Sequence, residues 1–439
     1  MEESISKLTG CFLTIWNDAR KQNFGGPIDH ASPSHEIIKK TGGYRIGYNG
    51  IKCLHDALEI LFSDPHLSNH YSQRYLNEEI ENIILSLLNS TPQGIVKQVE
   101  SSVQRWIQNL HSRTEVEWTV AAPIINLILT MDSIEVGKVT FLKNNSAATN
   151  TVIKEIREIT KSSTSEQEVK EFIASLANER LGSRVLAAVK VKAVDKRMAK
   201  ELGVELIEHS LNVLRFYGFG VLKHNPLDYK MYMGIDGTIF SGRPLIVTFN
   251  PGSHANLTSN TAGALYEYEF NDETIQRMHQ LSFESLNSIL KKDQKNEFEE
   301  LLNTSIDFFG AGMNDDDLVD SYIDFVISLE SLILKEREPS KGLLAERVSL
   351  IIGENRENRI EIFDYVESLY QLRSNIVHRG FKDITKENVK MIAFFAFRTI
   401  TTLTSHAQKI RRIDDLKDIC DRLKFSGPSF GGEDVPNVN

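Results

Sequence analysis

The stretch RIEIFDYVESLYQLRSNIVHRG, residues 359–380, decides how the C-terminal third of this 439-residue chain is read. Ile362, Val366, Leu369 and Ile376 recur at three- and four-residue spacing, the pattern of one buried helix face. Gly380 then stops the helix, as glycine does just past a last turn. The position that completes the stripe between Leu369 and Ile376 is Arg373. A guanidinium does not give up its proton, so on a core-facing line it must meet an acid or face a polar cleft.

A candidate acid stands in the preceding helix, VDSYIDFVISLESLIL, where Ile323, Ile327 and Leu334 form a stripe whose missing member is Glu330. A buried Arg373–Glu330 pair that fixes helix register and a functional site are both compatible with this pattern. His378 lies five residues after Arg373, about 140° around the helix and ~7.5 Å along it, on the polar line of Glu367, Gln371 and Ser374. There the negative end of the helix dipole favours an imidazolium, which suits general acid–base work; a solvent-exposed histidine that only complements the dipole is the plainer reading. The next helix starts at Thr385, a good N-cap, and runs through NVKMIAFFAFRTITTL, apolar on nearly every side and so central to a bundle.

Outward from this segment, residues 272–425 read as helix after helix, with Gly353 and Gly380 as stops, and the Gly- and Pro-rich 426–439 as a disordered tail. Residues 116–271 read as an α+β domain, with strands in VEWTVAAPIINLIL, SIEVGKVTFL, VLAAVKVKAV, YKMYMGI, RPLIVTF and ALYEYEF. Two helical stretches separate the second and third of these, and a helix through MAKELGVELIEHSLNVLRFYG follows the third. Residues 1–115 read as helical, with TGGYRIGYNG (41–50) as a loop that lacks the Gly-Lys-Ser/Thr ending of a phosphate cradle. The fold class is thus mixed: a helical N-terminal region, an α+β middle and an all-α C-terminal bundle.

Composition narrows the function. A formal net charge of -10 argues against a protein that coats nucleic acid non-specifically, though it allows a local basic cleft. Cys11, Cys53 and Cys420 are too scattered for a disulfide framework or a thiolate zinc site, which fits a reducing cytoplasm. No secretory signal and no membrane span is expected. His66 and His70, four apart, read as a surface helix pair, and Asp315, Asp316 and Asp317 as helix N-terminal charge. No metal and no other cofactor is expected. Lys190, Lys192, Lys196, Arg197 and Lys200 form a basic run that could touch RNA; a solvated helix face is the commoner explanation.

YQLRSNIVHRG, with the upstream YIDFVISLESLIL and the intervening LLAERVSLIIGENRENR, resembles the HEPN superfamily of helical ribonuclease domains, most closely its Apea-like branch from bacterial anti-phage defence. The likeness covers about Asp320 to Ser405 and extends more loosely back to about residue 275. It implies an R-x4-6-H active site, here Arg373 and His378, usually composite at a homodimer interface and independent of metal. Ser374 takes the place after the Arg where the family often has Asn, Asp or His, with Asn375 as its substitute. The implied activity is endoribonucleolytic: RNA, tRNA included, is cleaved by its own 2′-OH to leave 2′,3′-cyclic phosphate ends. Tyr370, on the Arg373 face, and Arg379 are candidate substrate contacts, although Tyr370 also reads as a core residue beside Phe363 and Val377.

Two alternatives stand beside this. The bundle can be a non-catalytic dimerisation or RNA-binding module in which Arg373 pairs with Glu330. It can also be the toxin of a toxin–antitoxin pair, but those toxins favour a Tyr two residues after the motif His, where this chain has Gly380. A defence nuclease needs restraint, and the first 270 residues are the expected place for a sensor or regulator, where the basic run of residues 190–200 could meet a phage-derived trigger or a regulatory partner.

Overall fold

The computed structural model of the chain describes residues 2–24, 35–39, 42–88, 93–143, 185–223, 225–233, 247–249, 267–335, 338 and 342–426. The helical stretches expected between 143 and 185, parts of the expected strands near 234, 245 and 265, and the expected tail from 427 lie outside these residues. The described chain is mostly helical with a small antiparallel sheet in the middle, and it forms two compact units. One is Met1–Trp118 with Val191–Leu202; the other is Thr119–Lys190 with Gly203–Asn439. The boundary expected at 271/272 falls inside the second.

The first unit is built from α1 (Glu2–Phe24), a hairpin of β1 (His35–Lys39) and β2 (Gly42–Ile46), α2 (Tyr48–Phe62), α3 (Pro65–His70), α4 (Gln73–Leu88) and α5 (Ile95–Ser112). The helices form because apolar residues recur on one face of each: Leu8, Phe12, Ile15 and Ala19 on α1, and Val99, Val103, Trp106 and Leu110 on α5, all in one core. Within the expected loop 41–50, residues 42–46 are a strand paired with β1 and residues 48–50 begin a helix. Asp18 of α1 accounts for the helix start: its carboxylate accepts from the backbone N–H of Gly47 (2.6 Å) and Gly50 (3.1 Å), so the open amides at the start of α2 are filled by the chain's own acid. A Cβ at Gly50 would stand 2.6 Å from that oxygen.

In the second unit the sheet holds β5 (Ser133–Val136), β6 (Val139–Lys143), β7 (Val185–Ala193), β3 (Val116–Ile125) and β8 (Tyr232–Met233), in that order, with β9 (Val247–Phe249) also on β3. The pairings β5–β6, β6–β7, β3–β8 and β3–β9 are antiparallel, whereas β4 (Leu127–Leu129) and β10 (Tyr268–Phe270) pair in parallel. From Gly203 onward, helix α6 (Lys196–Val221) is the spine of this unit. Its Gly203 lies against Val120 and its Ser210 donates to the Val136 carbonyl (3.1 Å), both in the sheet. Phe216 packs on Phe309 (5.1 Å) and Phe397 (4.9 Å), both in the C-terminal helices. Residues 211–218 are buried without a break, as a helix covered on all sides requires.

The C-terminal helices are α7 (Asp272–Gln280), α8 (Phe283–Leu290), α9 (Glu297–Asn314), α10 (Leu318–Ile333), α11 (Leu343–Ile352), α12 (Arg356–Arg379), α13 (Lys386–Ser405) and α14 (Ile413–Ser426). Asp317 caps α10 by accepting from Val319 N–H (2.7 Å), and Thr385 caps α13 with a reciprocal box to Asn388. No helix among the described residues is long and apolar enough to cross a membrane.

Candidate functional site

Helix α12 carries the site. Its face is buried at Ile362, Val366 and Leu369, and the burial ends at the last two turns, where Arg373 and Ile376 are half-buried. The stripe therefore opens toward solvent where the charge appears. On α10 the core-facing residues are Tyr322, Phe325, Val326, Leu329, Leu332 and Ile333. The line of Ile323, Ile327, Glu330 and Leu334 is only half-buried, so Glu330 sits at the margin of the core rather than within it.

Arg373 and Glu330 meet. Arg373 Nη2 donates to Glu330 Oε2 at 3.3 Å, with side-chain exposures of 25% and 19%. The other carboxylate oxygen accepts from the Tyr370 hydroxyl at 2.7 Å, and the guanidinium carbon lies 5.8 Å from the Tyr370 ring centre. The backbone beneath is anchored by Tyr322, whose hydroxyl donates to the Leu369 carbonyl. The contact to Glu330 uses one guanidinium nitrogen at a long distance, and Arg373 Nε is buried with no hydrogen-bond partner. The guanidinium is thus held by a single long contact and its side chain is a quarter exposed, so an incoming anion meets its exposed part and not the buried Nε.

His378 is exposed on the following turn, beside exposed Arg379. Gly380 ends the helix in the left-handed region (φ 64), with its N–H bonded to the Ile376 carbonyl (3.0 Å) and that of Phe381 to the Asn375 carbonyl (3.3 Å). Ser374 and Asn375 are half-buried. Glu330, Tyr370 and Arg373 therefore form one connected cluster, and His378 and Arg379 stand apart from it at the helix end. The role of the Tyr370 hydroxyl in holding Glu330 was not read from the sequence, although a tyrosine one turn before a half-buried Arg, facing an acid, is the available signal. The other unread neighbour is Phe381, exposed directly after the glycine stop.

Elsewhere, His66 stacks between His70 (4.4 Å) and His111 (4.8 Å), and His111 faces Asp64 at 3.1 Å. Stacked rings point their nitrogens in parallel rather than at one point, and no group of three or more His, Cys, Asp or Glu among the described residues is placed to hold a metal ion. Within the basic run, Arg197 is tied to Glu78 and to Glu201 (3.2 Å).

The cluster on α10 and α12 defines a class of site, a margin-of-core cation with an exposed imidazole further along the same helix, on a predominantly helical protein. The chain matches no family model, no curated protein and no solved structure.

Proposed function

We propose that this chain is a metal-independent endoribonuclease of the HEPN type, acting as a homodimer through its C-terminal helices in cytoplasmic anti-phage defence, where RNA cleavage aborts infection. The observation that supports this most is the state of Arg373: held to Glu330 by a single long contact, a quarter exposed, and on the same helix as an exposed His378 five residues on. Arg373 binds the scissile phosphate with its remaining donors and offsets the charge that develops on it. His378 moves a proton, taking it from the 2′-OH or giving it to the 5′-oxygen. The 2′-O–P bond forms, the P–O5′ bond breaks, and the products are a 2′,3′-cyclic phosphate and a 5′-hydroxyl. One helix sets its Arg and His about 140° apart. Two such sets across a two-fold axis supply both an acid and a base to one phosphate.

A second reading, a non-catalytic dimerisation or RNA-binding module, draws support from the same Arg373–Glu330 contact, which satisfies part of the guanidinium without substrate. The two are separated by incubating purified protein with a mixed RNA pool and total tRNA in EDTA, beside Arg373→Ala and His378→Ala variants that keep the wild-type elution volume and melting curve. We expect the wild type alone to cut, with cyclic phosphate ends. Equal cutting by all three proteins would refute the site, and RNA binding without cutting would favour the module.

A further inference from the structure

Three aromatic side chains on or beside α12 and α13 are strongly exposed: Tyr365 at 46%, Phe394 at 42% and Phe381 at 38%. Tyr365 and Phe394 share one groove with Glu354, Glu361 and Arg398, in which the two carboxylates outnumber the single cation and disfavour phosphate. Phe381 has the opposite setting. Exposed Arg379 and Lys382 lie two residues before it and one after it, and Asp383 is the one acid in 379–383.

The loop that carries Phe381 is fixed at both ends. Gly380 turns the chain, the Phe381 N–H is bonded to the Asn375 carbonyl (3.3 Å), Ile384 is buried at 6% exposure, and Thr385 begins α13 as its cap. The ring therefore needs little ordering on binding. Tyr370 cannot offer a face in this way, being 9% exposed with its hydroxyl on Glu330.

We infer that Phe381 is the stacking platform for an unpaired base beside the scissile phosphate, with Arg379 and Lys382 on the flanking phosphates, so that the substrate is single-stranded RNA. This rests on the ribonuclease reading above. Bases in a duplex are already stacked on both faces and shielded from such a platform, whereas a single strand presents them.

The test uses the full chain, a short single-stranded oligonucleotide carrying 2-aminopurine, and the same strand annealed to its complement. A 2′-O-methyl version, which cannot be cleaved, reads binding by fluorescence; the ribose version reads turnover. Phe381→Ala should bind the single strand roughly 5- to 100-fold more weakly and lose the 2-aminopurine quench, with the loss falling in KM more than in kcat. Phe381→Trp should restore both. Binding by Phe381→Ala within about twofold of wild type, or a duplex bound as tightly as the single strand, would overturn the assignment. So would a Phe381→Ala protein that sediments as a smaller species, which would assign this face to contact between copies. Cleavage that needs Arg373 and His378 but not Phe381 would remove this inference alone. Neither cleavage nor binding by the wild type would remove the ribonuclease reading and this inference together.

Discussion

Asp324, on α10 two turns before Glu330, is half-buried, and this burial, helped by the charges of Asp315 and Asp320, pushes its carboxyl up to about 6. The folded state therefore binds a proton at this position more tightly than the unfolded chain does. Stability is gained below the unfolded value and lost as pH rises through the window from the ordinary 3.8 to about 6. Asp324→Asn removes the ionisation. It should be more stable than wild type at pH 7.5 by on the order of 1 kcal/mol, after discounting for solvent screening, and the gap should close near pH 4. Urea unfolding at the two pH values measures this, and an unchanged gap would show that the carboxylate is not strained. The Arg373–Glu330 contact was legible in the sequence because each residue interrupts an apolar line on its own helix. Its third member was not: the Tyr370 hydroxyl reaches Glu330 across 40 residues of chain, and no spacing within one helix records which acid a tyrosine meets.

At the scale of elements, α12 is the helix on whose end the proposed site depends most, because its last turn carries His378 and its stop presents Phe381. Gly380 holds φ 64, and a Cβ there would meet nothing within 4 Å, so only the left-handed backbone opposes a side chain. Gly380→Ala should therefore cost about 1 kcal/mol and fray the last turn, while Gly380→Asn, which tolerates that region better, should cost less. Hydrogen exchange at residues 376–379 beside a thermal melt reads both effects; equal protection in all three proteins would show that the stop does not depend on glycine. This helix and its stop were readable from local pattern alone, since stripe, glycine and following cap all lie within one stretch. The segment 42–50 was not, because what makes 42–46 a strand is its pairing with β1, and what fills the helix start is Asp18, whose carboxylate arrives from 29 residues earlier. Glycines in sequence report that a turn or a close approach is allowed, and the partner that uses the space comes from elsewhere in the chain.

Over the second unit as a whole, the sequence divides sheet from bundle at about residue 271, yet α6 binds both. Its periodicity announces a helix and cannot say that one side meets Val120 and Val136 while the other meets Phe309 and Phe397, since apolar residues all round fit any buried position. Glycines mark where α6 comes closest to its neighbours. A Cβ at Gly310 of α9 would stand 2.4 Å from Asn212 Cβ and 2.5 Å from its Cα, and a main-chain atom does not swing aside as a flexible side chain does. Asn212 is also engaged, donating to Asp307 at 2.9 Å, so the two helices must separate for Gly310→Ala to fit. The expected cost is about 1–3 kcal/mol. Gly10→Ala in α1 serves as the contrast, for its Cβ would meet nothing within 4 Å, and alanine in an open helical site should stabilise by about 0.5–1 kcal/mol. Thermal unfolding followed by circular dichroism should thus move in opposite directions for the two substitutions. A Gly310→Ala protein as stable as wild type would mean that α6 and α9 do not close on one another at Asn212, and the sheet and the C-terminal helices would then lose one of the contacts that make them a single unit.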